Sequence, residues 1–354
     1  MNQKGFANII LVIVIVILVG VVGYFALVRK SEPITQTSTP TSTQQPSQTQ
    51  NIKPSVQSSN QPTTSAHTNY KKIISESFDY GSGEQQFGII RVAGGSGPSS
   101  FSTDNRNYLY ITDFRNHRVK IFDSSGNQVS MFNTEQPLFD IVVDKNGNIY
   151  GDDASYTQVF RYSSGGSLSG KIENPPAFSE IFSSPPNAYS RLYIVGDKLY
   201  ITDAQQNSYL ISSTEGNLKL ESATKLDGIY GLSGKRYKTN YTGGGTVDII
   251  NQAGITEKTI ALEINGLATI VFLGEDQNGN FYIYTETVVA KDNIKLQVRK
   301  YNPSGNLLTT LDIPNIDSGG FPTVKPLHVD RTGDIWQVEG GASKLFVNRW
   351  STTY

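Results

Sequence analysis

The sequence predicts an all-β protein, a six-bladed β-propeller set behind an apolar N-terminal segment and a polar linker. Three observations predict it. Short runs of alternating apolar residues, bounded by Gly, Asn, Asp and Ser, recur from about residue 70 to the end, which is the pattern of antiparallel strands joined by tight turns. Six of these runs end near an aromatic residue: Tyr110, Tyr150, Tyr200, Tyr237, Tyr282 and Trp336, at spacings of 40, 50, 37, 45 and 54 residues. A period near 45 residues with about four strands per unit is a propeller blade, whose sheet hides both faces only by stacking against its neighbours.

Composition agrees. The chain of 354 residues carries 33 Gly, 19 Tyr and 16 Phe but only 2 Met, a balance that suits strands and turns better than helices. There is no cysteine, which removes disulfides, thiolate metal sites, cysteine nucleophiles and lipoprotein anchoring. The formal net charge is −1, and residues 70–354 hold 26 basic against 30 acidic side chains. That balance argues against a nucleic-acid surface.

The repeats justify the blades one by one. Tyr108–Asp113, Asn148–Asp153, Lys198–Asp203, Lys235–Asn240, Asn280–Thr285 and Asp334–Glu339 are the aromatic strands. Each is followed by a second strand: Arg118–Phe122, Gln158–Tyr162, Ser208–Ile211, Thr246–Ile250, Gln297–Tyr301 and Lys344–Trp350. Asp144-Lys-Asn-Gly-Asn148, Asp276-Gln-Asn-Gly-Asn280 and Asp330-Arg-Thr-Gly-Asp334 read as hairpin turns into the aromatic strand, with Gly at the positive-φ position. The fourth repeat lacks this turn. Glu173–Tyr189 is the only room for a seventh blade, and its two Pro-Pro pairs make it a loop. The sixth repeat ends without an outer strand, which Tyr70–Phe78 is expected to supply, so that the ends pair and no edge stays open.

The stretch Tyr108–Gln128, with its D-x-x-N-x-R corner at Asp113, Asn116 and Arg118, resembles an NHL repeat. Gly81-Ser-Gly-Glu-Gln-Gln-Phe87 is similar to the linker between NHL blades. The resemblance implies a propeller over residues 70–354 that binds through its faces.

Residues 1–30 read as an anchor. Phe6 to Val28 is a 23-residue apolar run flanked by Lys4, Arg29 and Lys30, long enough to cross a hydrocarbon core of about 30 Å. A cleavable signal peptide is the competing reading, but no A-x-A site follows. Gln3–Phe6 also resembles the processing site of pilin-like proteins, although Ile10 stands where that family carries Glu. Residues 31–69 form a linker in which 29 of 39 are Ser, Thr, Pro or Gln. Such a segment cannot fold on itself and reaches roughly 35 Å. The expected arrangement is a single-pass membrane protein with the propeller outside the cytoplasmic membrane.

Candidate site residues are few. Asp113, Arg115, Asn116 and His117 form the polar corner of the first repeat, and Asp203 a partial copy. They could meet a polar ligand, or the carboxylate could cap its turn and pair with Arg118. Asp152-Asp153 is an acidic pair at a strand end, usable in principle by Ca²⁺, though no cofactor motif is present. His117 and His328 cannot make a three-histidine zinc site, and no Ser-His-Asp arrangement or nucleophile elbow stands out. The expectation is a non-catalytic binding or scaffolding module for a protein or envelope glycan. The alternative, implied by resemblance to six-bladed relatives, is a metal-dependent hydrolase or lactonase with acidic ligands in the channel.

Overall fold

The computed structural model describes residues 69–90, 96–153, 157–173, 191–221, 224–291, 293–316, 323 and 325–352. Six four-stranded antiparallel sheets make up this region. Blade 1 is β2 (Phe101–Thr103), β3 (Leu109–Asp113), β4 (Arg118–Phe122) and β5 (Gln128–Asn133). Blade 2 is β6 (Leu138–Val143), β7 (Ile149–Asp153), β8 (Gln158–Tyr162) and β9 (Leu168–Glu173). Blade 3 is β10 (Leu192–Val195), β11 (Lys198–Thr202), β12 (Asn207–Ser213) and β13 (Lys225–Asp227). Blade 4 is β14 (Ile229–Tyr230), β15 (Arg236–Asn240), β16 (Thr246–Ile250) and β17 (Thr256–Ala261). Blade 5 is β18 (Leu267–Glu275), β19 (Phe281–Ala290), β20 (Asn293–Tyr301) and β21 (Leu307–Ile313).

The last blade joins the two ends of the chain. Its order is β22 (Leu327–Val329), β23 (Ile335–Gly340), β24 (Lys344–Thr352) and, outermost, β1 (Tyr70–Asp79). The register runs from Tyr70 opposite Thr352 to Asp79 opposite Lys344, with a bulge between Lys72 and Ile74. The ring is therefore closed by main-chain hydrogen bonds that cover the outer edge of β24 and make β1 the outer strand of the last blade. Phe6–Val28, residues 174–189 of the stretch read as a loop, and all but Asn69 of the 31–69 linker lie outside the described residues. Among the described residues no helix is long and apolar enough to cross a membrane.

The core lies between blades. Tyr110, Val119 and Ile121 of blade 1 pack on Leu138, Ile141 and Phe160 of blade 2. Phe101, Leu109 and Ile111 of blade 1 pack on Trp336, Val338 and Val347 of blade 6, with Ile74 of β1 among them. Comparable clusters join blades 2 and 3, 4 and 5, and 5 and 6. Burying each such side chain is worth roughly 1.5–3 kcal/mol, so the aromatic spacing in the sequence is the spacing of the interfaces.

The seam between blades 3 and 4 is different. Tyrosines occupy its inner side, Tyr193 stacked on Tyr200 with centroids 5.3 Å apart and Tyr230 tilted against Tyr200 at 5.0 Å. Beside them Gln206 Nε2 donates to the Thr239 carbonyl (2.9 Å), Thr239 N donates to Gln206 Oε1 (2.8 Å), and Ser208 Oγ donates to the Gly228 carbonyl (2.6 Å). The weak fourth repeat has a structural counterpart here: β14 is two residues long.

Blade 5 also departs from the others. β19 continues to Ala290, whereas β3, β7, β11 and β15 have five residues each. The five extra residues carry the hairpin roughly 16 Å past its neighbours, at about 3.3 Å per residue.

Candidate functional site

The propeller has two faces, set by its turns. One carries the hairpins from each inner strand to the aromatic strand. The other carries the corners from the aromatic strand to the third strand, and the blade 5 hairpin projects there.

On the first face an aspartate organises each regular turn. Asp144 Oδ1 accepts the Asn146 and Asn148 amides (2.8 and 2.9 Å), and its other oxygen receives the Tyr150 hydroxyl (3.3 Å). Asp276 binds Asn278 N, Asn280 N and Tyr282 Oη in the same way, and Asp330 binds Thr332 N, Asp334 N and Trp336 Nε1. The acid six residues before the aromatic thus ties the turn to the blade core, which explains why the two recur together. Asp104 does the same for Arg106 N, Tyr108 N and Tyr110 Oη. Its turn escapes a sequence search because Asn107, at φ 61°, stands where the others have Gly. In blade 4 the acid is borrowed: Glu275 of blade 5 accepts the Tyr237 hydroxyl (3.0 Å) and the Ser233 amide (2.7 Å). Glu275 and the burial around Tyr237 together raise the phenol's pKa far above its ordinary value, burial being the larger cause.

On the second face Asp113 is fully buried. It accepts Gly88 N (2.8 Å), Asn116 Nδ2 (2.9 Å) and Arg118 Nε (2.6 Å). Arg118 Nη2 in turn donates to the Gly83 and Gln86 carbonyls (2.7 and 3.0 Å), and Asn116 to the Gly81 carbonyl (3.0 Å). Lys120, also buried, donates to the Glu84 and Gln86 carbonyls (2.6 and 2.5 Å). This D-x-x-N-x-R-x-K corner therefore clasps the backbone of residues 81–88, the link from the closing strand to blade 1. Arg115 and His117 are exposed. His117 takes the left-handed conformation at φ 50°. Arg115 and Asn116 border an open hollow with Gly81, Ile89, Ala342 and Ser343.

The other sequence-predicted acids do not converge. Asp153 Oδ1 accepts Thr157 N and Gln158 N (2.8 and 2.9 Å), and Asp203 Oδ1 accepts Gln205 N and Asn207 N (2.9 and 2.8 Å). Asp152 points to the opposite side of its strand from Asp153, as neighbours in a strand must. It is completely buried: Oδ1 accepts Asp140 N (2.7 Å) and Oδ2 has no hydrogen-bond partner. Burial, and then the neighbouring Asp140 carboxylate, raise the Asp152 pKa well above the ordinary carboxylate range. Among the described residues no group of three or more His, Asp or Glu is placed to hold a metal ion.

Asp140, unremarked in the sequence, is the inner bolt of the ring. Its carboxylate accepts Ser100 Oγ of blade 1, Leu192 N of blade 3 (2.6 Å) and Lys325 Nζ (2.9 Å), which leads into blade 6. Lys325 also donates to the Ile141 carbonyl (3.0 Å). No local signal marks these residues, because only ring closure brings blades 1, 2, 3 and 6 together.

An axial cavity of about 580 Å³ runs from the first face toward this bolt. Its mouth is formed by the first hairpins, and its inner end by Arg191, Thr202 and Lys325. His328 lines it, with Nε2 3.1 Å from Thr103 Oγ1. Burial first, then the positive charges of Lys325 and Arg191, lower the His328 pKa to about 3, so the ring is neutral.

No family model matches the chain, and no curated protein does. Solved structures are similar at low identity. A member of the duf4221 family from Bacteroides vulgatus aligns over 80% of this chain and 98% of its own, with 10% identity and a TM-score of 0.48. Virginiamycin B lyase from Staphylococcus aureus aligns over 80% and 89%, with 10% identity and a TM-score of 0.44. BamB from Moraxella catarrhalis aligns over 81% and 98%, with 10% identity and a TM-score of 0.40.

Proposed function

We propose that this chain is a membrane-tethered, extracytoplasmic, NHL-like propeller that acts as a non-catalytic binding module. It holds a protein partner on the face carrying the blade 5 hairpin. One observation carries the reading. The hairpin stands clear of the other blades and exposes Val288, Val289 and Ile294, each 44–53% accessible. Exposed aliphatic side chains at a projecting tip suit the apolar core of a protein interface. They do not suit an envelope glycan, for which an aromatic stacking surface is expected. Tyr70, where the first strand begins, pairs with Thr352 at the opposite face.

The metal-dependent hydrolase reading gains no support from this arrangement. Of the acids lining the mouth, Asp104 and Asp144 each accept two amides of the turn they organise, and Glu275 accepts the Ser233 amide and the Tyr237 hydroxyl. The test is affinity capture from solubilised envelope of the source cell, comparing the unmodified chain with V288D/V289D. A protein partner retained by the first and lost by the second supports the reading. A partner set indifferent to the hairpin, or turnover of any substrate, contradicts it.

A further inference from the structure

The hairpin face carries one corner unlike the rest. In blades 1, 2 and 3 the aromatic strand leads into an aspartate: Asp113, Asp153 and Asp203 are each buried and each accept backbone amides. Blade 4 has a carboxamide at that position. Asn240 is exposed, as are Tyr241, Thr242 and Gly243 after it. Asn240 Oδ1 accepts Thr242 N at 2.9 Å and Thr242 Oγ1 at 2.8 Å. Its Nδ2 donates to none of the described residues.

The chain then turns back into β16 through Gly243, Gly244 and Gly245, at φ 64°, 86° and 91°. These carry no side chains to crowd the amide, and a Cβ added to Gly243 would meet nothing within 4 Å. The carboxamide is therefore held by its oxygen and open at its nitrogen. Asn240-Tyr-Thr242 is one of two N-x-[S/T] triplets in the chain. The other, Asn302-Pro-Ser304, has proline in the middle, which excludes it as a glycosylation sequence.

We propose that Asn240 is the acceptor of an N-linked saccharide. The donor class is a saccharide carried on a lipid pyrophosphate and transferred by a membrane enzyme. Nδ2 bonds to the anomeric carbon as the C–O bond to the pyrophosphate breaks. The pyrophosphate keeps the electron pair, and one Nδ2 proton passes to a base of the transferase. A carboxamide nitrogen is a weak nucleophile because its lone pair is delocalised onto oxygen. As the proton leaves, negative charge builds on Oδ1, where the Thr242 amide and hydroxyl already donate and where such bonds strengthen with charge. The Gly244 and Gly245 carbonyls accept Ile264 N and Leu262 N, both at 2.9 Å, which holds the corner against the link into blade 5. The saccharide thus stands beside the docking hairpin, on its blade 4 side. This assignment rests on the extracytoplasmic reading above, because such triplets are modified on surface loops of secreted chains.

The test uses the full chain isolated from membranes of its source cell. Trypsin releases residues 239–258, between Lys238 and Lys258, and mass spectrometry weighs and fragments that peptide. The expected result is a mass raised by one or more sugar residues, with the gain on Asn240. Thr242→Ala returns the bare mass, whereas Thr242→Ser keeps the gain. A bare peptide from the unmodified chain, or a gain placed on any other residue, overturns the proposal. Protease treatment of intact cells separates the two readings. A propeller that is digested while Asn240 is bare overturns the saccharide alone, and a propeller that is protected overturns the extracytoplasmic reading and the saccharide with it. V288D/V289D leaves the gain in place, so the result is independent of hairpin docking.

Discussion

Replacing Asp113 by alanine separates a structural corner from a ligand site. The carboxylate is inaccessible to solvent and bonds Arg118 at 2.6 Å, while the Arg118 side chain is only 8% exposed. Truncation leaves that guanidinium buried without its counter-ion, which costs about 3–5 kcal/mol. The Gly88 amide and Asn116 lose their acceptor as well, and the clasp on residues 81–88 loosens with them. For a domain of this size about 1 kcal/mol moves Tm by roughly 2–4 °C, so Asp113→Ala lowers Tm by on the order of 10 °C. Calorimetry on the variant, on Arg118→Met and on the double variant reads this directly. The double variant is less destabilised than the sum of the singles, because it strands no charge. A Tm within about 2 °C of the parent refutes the reasoning, since that is how a solvated surface acid behaves. Unchanged stability with lost partner binding would make the corner a ligand site.

Other consequences are open to measurement. Burial pushes the Lys120 pKa down to about 8 from an ordinary 10.5. Between those values the unfolded chain binds more protons than the folded one, so stability rises with pH through that window. A melting series shows the rise in the parent and not in Lys120→Met. Above pH 10 the slope reverses, because burial raises Tyr110 and Tyr150 to about 12 and the unfolded tyrosines ionise first. Asp140→Ala strands Lys325 among blades 1, 2, 3 and 6 and lowers stability by about 3–5 kcal/mol in urea unfolding; a loss below about 1 kcal/mol would show that Asp140 does not bolt the ring. Gly333, at φ 90°, has no room for a methyl group: an added Cβ would lie 2.4 Å from Tyr282 Oη. Gly333→Ala therefore costs at least the 1–2 kcal/mol of an unfavourable left-handed residue, read as a fall in Tm, and an unchanged Tm contradicts the turn geometry. Hydrogen exchange is faster in β13 and β14 than in β3 and β4, because hydroxyl and amide pairs join the blade 3–4 seam where apolar side chains join the others; equal protection would show that the seam is no weaker.

The blades were legible because each is a local pattern. The second strands Arg118–Phe122, Gln158–Tyr162 and Thr246–Ile250 coincide with β4, β8 and β16, since alternation and a closing Gly turn bound them on both sides. The pairing of Tyr70–Asp79 with β24 was also foreseeable, because a blade short of a strand and a spare strand at the other terminus leave one solution. The five residues that lengthen β19 were less visible: Thr287, Val288 and Val289 have strand propensity wherever they fall, and nothing local says that the sheet outgrows its neighbours. The site was least legible. Asp113, Asn116 and Arg118 come together as the motif places them, but what they hold is main chain from residues 81–88. Asp140, Arg191, Lys325 and His328 are far apart in sequence and meet only when six blades close. Charge clusters of that kind are properties of the ring and carry no local signature.

Ring closure by the N-terminal strand underlies both the shape of the channel and the facing of the hairpin. The most direct test compares two chains, one beginning at residue 69 and one at residue 81. The first is expected to unfold in a single cooperative transition with a strong near-ultraviolet aromatic signal. The second, deprived of β1, exposes Val347 and the free edge of β24, and loses that transition. A chain beginning at residue 81 that melts within about 2 °C of the longer one would contradict the closure, and with it the geometry of both proposed sites.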